Sequence, residues 1–302
     1  MHSSAHYRQL LARLPQIAVA ADQFQVLNSA KDFKSRILSL IANATQRIYL
    51  IALYLQDDEA GREILSALYA AKQRNPALDI KVFVDFHRAQ RGLIGKGKQG
   101  GNHLMYQAMA ARHEHQIEIY GVPVKGRELL GVLHLKGFIF DDILLYSGAS
   151  LNDIYLHQQE RYRFDRYHQI HSQALTRSMV NYVDDVFLKS EAVQRLDRTG
   201  IPGAKQLKGQ IRRFKHNLRT SQYRFESIPA NSQEIAITPM VGLGKRGNQL
   251  NRMIRNLVRA TEREIFICTP YFNPPKELNK DVEALLKRGC KVTIVVGDKT
   301  AN

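Results

Sequence analysis

Residues 133–153 read LHLKGFIFDDILLYSGASLND. Two apolar runs flank the Asp141–Asp142 pair, and a small, polar segment closes the second of them. That pattern predicts buried strands over 132–140 and 143–147 joined by a tight turn. Side chains alternate along a strand, so His134 and Lys136 are expected on one face and Asp141 on the other. A histidine and a lysine two apart are common on any half-buried strand. The full order is rarer: H-x-K-x-x-x-x-D, then Gly148, Ser150 and Asn152.

This set resembles the HKD signature of the phospholipase D superfamily, whose members break and remake phosphodiester bonds. The resemblance implies an α/β fold with a mixed sheet flanked by helices, and a site that uses no metal or other cofactor. In such a site the neutral imidazole of His134 attacks phosphorus, and a covalent phospho-histidine splits one hard displacement into two easier ones. The ammonium of Lys136 neutralises charge on the non-bridging oxygens. Asp141 belongs to the catalytic signature, but its opposite face suits anchoring backbone or orienting a neighbour. The usual family tail is G-S-x-N, whereas the run here is Gly148-Ala149-Ser150-Leu151-Asn152. Ser150 and Asn152, one residue later, are candidates to bind phosphate or steer His134. RYRFDRYHQI at 161–170 predicts the next strand, bringing Asp165, Glu160 or His168 within range. Asp165 or Glu160 is a candidate acidic partner for the histidine, with a solvated polar face as the plain alternative. Superfamily catalysis pairs two facing motifs, and the sequence carries one.

Further stretches narrow the resemblance. ATQRIYLIALYLQDDEAG (44–61), VFVDFHRAQRGLIG (82–95), YGVPV (120–124), LYSGASLNDIYLHQ (145–158), TPYFNPP (269–275) and VVGDKTAN (295–302) are similar to the phosphatidylserine synthases of Gram-negative bacteria. These are CDP-diacylglycerol–serine O-phosphatidyltransferases. The likeness implies CDP-diacylglycerol and L-serine as substrates, with CMP released. It also makes Arg88 and Arg91 candidates for holding the pyrophosphate.

Composition is compatible with that reading. The 302 residues carry a net charge of +16, which calls for an anionic partner, either a phospholipid surface or nucleic acid. Basic residues concentrate at 87–98, 205–219 and 245–263; the last two predict amphipathic helices able to lie on an anionic membrane. HYRQLLARLPQI near the N-terminus is a further short helix of that kind, or an ordinary packing helix. No run reaches the roughly 18–20 apolar residues of a membrane-spanning helix, and Arg13 and Pro15 interrupt anything like a signal peptide. Cys268 and Cys290 suit a reducing compartment and read as packing residues. The expectation is a cytoplasmic protein held peripherally at the inner membrane.

An internal echo sets the expected organisation. ATQRIYLIALYL at 44–55 recurs as ATEREIFICTPYF at 260–272, and each is followed by a helical stretch and a second strand, at 79–85 and 290–298. The place of a second motif in the second copy would lie beyond Asn302. Residues 1–196 are therefore expected to form one complete unit, 197–229 a connector, and 230–302 the opening of a second unit. Helices are expected at 34–44, 60–74, 103–113 and 172–195, and strands at 48–55, 80–85 and 117–121. Three functions compete: the phosphatidyltransferase, with its second motif in further sequence or another chain; a one-motif phosphodiesterase or nuclease active as a homodimer; and a non-catalytic lipid- or nucleic-acid-binding module.

Overall fold

The computed structural model describes residues 3–91, 100–124, 133–242, 248–269 and 272–297. Contacts divide the chain into a larger unit, Gln16–Pro239, and a smaller one made of Met1–Pro15 with Met240–Asn302.

Helix α1 (Ser4–Ala12) belongs to the smaller unit. The larger begins with β1 (Ile17–Ala20), β2 (Phe24–Leu27) and α2 (Ala30–Asn43). Ser29 caps α2 by accepting the Asp32 N–H at 3.0 Å. Phe33, Ile37, Leu40 and Ile41 recur at helical spacing on its buried face. Strand β3 (Arg47–Ile51), helix α3 (Glu59–Arg74) and strand β4 (Asp79–Asp85) follow, with the two strands parallel. Helices α4 (Phe86–Gln90) and α5 (His103–Ala110) lead to β5 (Glu118–Val122), β6 (Gly137–Phe140), β7 (Ile143–Tyr146) and β8 (Tyr167–His171). The unit ends with α6 (Gln173–Val183), β9 (Gln194–Arg195), α7 (Lys208–Thr220) and β10 (Glu234–Ile237).

Eight of these strands form one mixed sheet in the order β2-β8-β7-β6-β3-β4-β5-β9. β3, β4 and β6 are buried almost throughout, which is why apolar residues dominate them, with Lys81 and the strand ends as the exceptions. The registers fix what shares an edge. Gly137 at the start of β6 pairs with Ile51 at the end of β3, and Phe138 pairs with Leu145. Tyr146 at the end of β7 pairs with His168 near the start of β8. The residues after Ile51, Asp85 and Tyr146 and those before Gly137 and Tyr167 therefore gather at one edge of the sheet. The Asp141–Asp142 turn lies at the other.

Several boundaries differ from expectation. The strand expected over 132–140 begins only at Gly137, and residues 133–136 are irregular. β3 also stops early, at Ile51, so nothing remains to pair with the residues before Gly137. Beyond β3 the chain is held instead by a bridge between Leu55 and Leu151, and the buried Tyr106 hydroxyl donates to the Leu55 carbonyl. Gly137 itself has φ of +142°, and a Cβ there would meet the Met179 side chain at 2.4 Å. Glycine alone suits that position. The strand expected over 161–170 is confined to Tyr167–His171, and the helix expected over 172–195 gives way after Val183 to a π-turn and then β9.

Residues 197–229 are no loose connector. Ile211, Phe214 and Leu218 of α7 are buried, and the Phe214 ring lies 6.0 Å from Phe187. The apolar stripe of this basic helix is thus spent inside the protein rather than being left for a membrane. β10 pairs antiparallel with β1, which puts residues 234–237 in the larger unit and not in a second one.

In the smaller unit, α8 (Gln249–Ala260), β11 (Glu264–Thr269), α9 (Lys276–Lys287) and β12 (Lys291–Val296) repeat the earlier pattern, with β11 and β12 parallel. Val258, Val282, Leu285 and Cys290 form its buried cluster. Arg255 and Arg259 both bond Asp281, at 2.6 and 2.8 Å, and α1 joins through Arg8 and Glu262 at 2.9 Å. Cys290 packs as expected, but Cys268 is exposed because its strand has only one covered face. Among the described residues no helix is long and apolar enough to cross a membrane.

Candidate active site

Asp85, at the end of β4, organises the edge where the motif falls. It is fully buried, and its Oδ1 accepts the N–H groups of His87 and Arg88 at 2.9 and 3.0 Å. Oδ2 accepts the Leu133 N–H at 2.9 Å. One carboxylate thus caps α4 and holds the residue immediately before His134.

His134 reaches solvent, whereas Lys136, two residues on, is buried at 9 % exposure. Without a strand the two do not share a pleated face, yet they remain electrostatic neighbours. The wall behind His134, then the Lys136 charge, hold its imidazole below the ordinary histidine range, with Asp85 pulling the other way. His134 is therefore neutral at physiological pH, the form a nucleophile needs. Burial pushes Lys136 down to about 8 against the opposing charge of Asp165.

Asp165 sits beside Gly148, where an added Cβ would meet its Oδ2 at 2.6 Å. The candidate orienting acid of 161–170 is therefore the neighbour of Lys136. Among the described residues the acid acting on His134 is Asp85. Glu160 is exposed. His168 lies on β8 with its ring 5.3 Å from Phe24.

Ser150 and Asn152 are buried, at 2 % and 5 % exposure, in the turn after β7. Asn152 Oδ1 accepts the Tyr155 N–H at 3.0 Å, so its carbonyl oxygen shapes that turn. Between them, the Leu151 N–H donates to the Tyr54 carbonyl at 3.1 Å and its carbonyl accepts the Gln56 N–H at 2.9 Å. Arg88 lies on α4 with its guanidinium 5.4 Å from the centre of the Tyr54 ring. Arg91 is exposed at the end of that helix, and the rest of the basic run expected at 87–98 lies outside the described residues from 92 onward.

Tyr54 joins the site without having been singled out in the sequence. It follows the end of β3, so it stands between the Asp85 turn and the Ser150–Asn152 turn. Burial and then Tyr155 raise its hydroxyl to about 12, opposed by Arg88 and Arg163. Arg163 in turn donates to the Tyr155 hydroxyl at 3.3 Å. Among the described residues the edge is thus a basic, aromatic-walled surface around the His134 imidazole.

Asp141 is elsewhere. Its Oδ1 accepts the N–H groups of Gln46 and Arg47 at 2.8 and 2.9 Å, and its Oδ2 accepts the Thr45 N–H and hydroxyl at 2.9 and 3.1 Å. It lies at the far end of β6, a strand of four residues spanning about 13 Å, and ties the start of β3 in place.

Asp85→Asn leaves a single acceptor oxygen for three donors and removes the charge that favours imidazolium. The His134 pKa is expected to fall further. An NMR titration of its ring resonance, compared with the parent, checks this; an unchanged midpoint would show that Asp85 does not act on the ring.

Comparison with known proteins agrees with this geometry. A family model described as "Cardiolipin synthase, PLD-like domain" matches residues 37–160, which hold the whole motif. A CDP-diacylglycerol–serine O-phosphatidyltransferase of Haemophilus influenzae is 45% identical over 300 residues, covering 97% of this chain and 66% of its own length. The Escherichia coli protein of that name is 45% identical over 297 residues, covering 98% and 65%. The chain thus spans just under two thirds of the length of these relatives. The crystal structure of the H. influenzae phosphatidylserine synthase superposes with a TM-score of 0.93 at 42% identity, covering 100% of this chain and 67% of that one. This fold, this edge and this degree of identity make the chain a member of the phosphatidylserine synthase family, within the phospholipase D-like proteins.

Proposed function

We propose that the chain carries half of a phosphatidyltransferase site that moves a phosphatidyl group from CDP-diacylglycerol to the hydroxyl of L-serine. The observation that carries this is the His134–Lys136 pair at the sheet edge, in a chain 45% identical to CDP-diacylglycerol–serine O-phosphatidyltransferases. His134, neutral at working pH, attacks the phosphorus bearing the diacylglycerol and forms a phosphatidyl-histidine. The P–O bond to CMP breaks and CMP leaves with the electron pair. Serine then attacks the same phosphorus, its hydroxyl proton passing to the facing group that protonated CMP, and the P–N bond breaks to give phosphatidylserine and free the ring. Lys136 stabilises the oxygens of the transferring phosphate, and Arg88 and Arg91 hold the pyrophosphate. Ser150 and Asn152 keep the turn beside it in shape.

A second histidine, from a facing motif in further sequence or another chain, protonates the leaving CMP. The basic charge favours work at an anionic membrane surface.

The test is CMP release from CDP-diacylglycerol in mixed micelles by this chain together with the source of the facing motif, with and without L-serine, beside His134→Ala. Serine-dependent release that falls to background in the variant is expected. Release that ignores serine, release retained by His134→Ala, or hydrolysis of DNA in its place would overturn the proposal.

A further inference from the structure

Residues 161–166, RYRFDR, invert the usual arrangement of a soluble surface. Arg163 and Asp165 are half-buried and turned toward the site, Arg163 to Tyr155 and Asp165 to Lys136 and Gly148. The outward positions are Tyr162 at 43% exposure and Phe164 at 70%. Ile154, at 36%, joins them because its carbonyl accepts the Arg163 N–H at 3.0 Å.

The patch is built, not loose. The Tyr162 ring stacks on His157 with centroids 3.7 Å apart, and Phe164 meets Tyr167 edge-on at 6.2 Å. Exposed Arg161 and Arg166 flank the two aromatic rings. Apolar and aromatic tips rimmed by guanidinium groups complement the boundary of an anionic bilayer, where rings sit among headgroups and cations meet lipid phosphates.

We infer that Phe164 and Tyr162, with Ile154 beside them, insert into an anionic lipid surface and set the depth at which His134 meets a lipid phosphate. The inference rests on the reading of the substrate as a membrane phospholipid. Asp165 is the link, since it directly follows Phe164 and is the neighbour of Lys136.

The chain contains no tryptophan, so Phe164→Trp gives a single reporter. The probe is vesicles of equal phosphatidylglycerol and phosphatidylcholine, free of CDP-diacylglycerol, so the outcome does not depend on turnover. Vesicles are expected to shift the emission to the blue, and brominated lipid is expected to quench it. Phe164→Ala is expected to weaken co-sedimentation about tenfold or more, with an unchanged melt showing that the fold survives. Three outcomes overturn the inference: no co-sedimentation; co-sedimentation with the reporter still exposed to water; and emission already blue-shifted without vesicles, which would mean that protein covers the patch. Embedding without serine-dependent transfer would leave the anchor standing and remove only the catalytic proposal.

Discussion

Lys136→Met is expected to stabilise the larger unit while removing transfer. The ammonium is buried at 9 % exposure, and its pKa of about 8 lies well below the ordinary 10.5. Between those two values the unfolded chain binds the proton more tightly than the folded one. The charge therefore costs stability in full below pH 8, and the cost fades as pH rises towards 10.5. By linkage this is on the order of 2–3 kcal/mol at neutral pH. Methionine fills a similar volume without a charge, so thermal unfolding at pH 7 is expected about 5 °C higher. The gain should shrink when the melt is repeated near pH 10. Transfer is expected to fall on the order of a thousandfold, because nothing then offsets the charge on the phosphoryl oxygens. A melt unchanged by the substitution would show that the ammonium is well solvated and that its burial is not the price of catalysis.

Asp141→Ala is expected to do the reverse, costing stability and leaving chemistry alone. Four donors from Thr45, Gln46 and Arg47 converge on the carboxylate. Burial alone would raise its pKa, but the N–H groups of Arg47, Thr45 and Gln46 and the Thr45 hydroxyl prevail and hold it below the usual carboxylate range. Its contribution is present at neutral pH and lost as pH falls through that depressed value. Alanine leaves the donors unpaired and also strains a backbone with φ of +52°. The loss should be about 2–4 kcal/mol in the denaturant midpoint. Asp141→Asn tolerates the same backbone and should lose less. Transfer per folded molecule is expected to stay within twofold, roughly, of the parent. A large fall at full folding would instead place Asp141 in the chemistry.

The contrast shows how far one-dimensional pattern reaches. The strands at 47–51, 79–85 and 143–146 were legible because a strand covered on both faces is dominated by apolar residues at its centre. For Asp141 the sequence offered anchoring backbone or orienting a neighbour, and the four bonds from residues 45–47 are the first of these. What alternation missed was local and tertiary at once. Residues 133–136 look like strand, but β3 ends too soon to pair with them and Gly137 bends the chain. So His134 and Lys136 came out on one face, when the fold exposes one and buries the other. Asp85 was legible only as the end of a strand, because its three donors come from two segments 45 residues apart in sequence, near 88 and 133. RYRFDR alternates like a strand, and pattern alone does not say that its polar side faces inward.

Asp85 has one more consequence. It ties the first turn of α4 and the residue before His134 to the end of β4 at once. On the proposed reading the reacting ring is therefore moored to the sheet itself, and its place is inherited from the core.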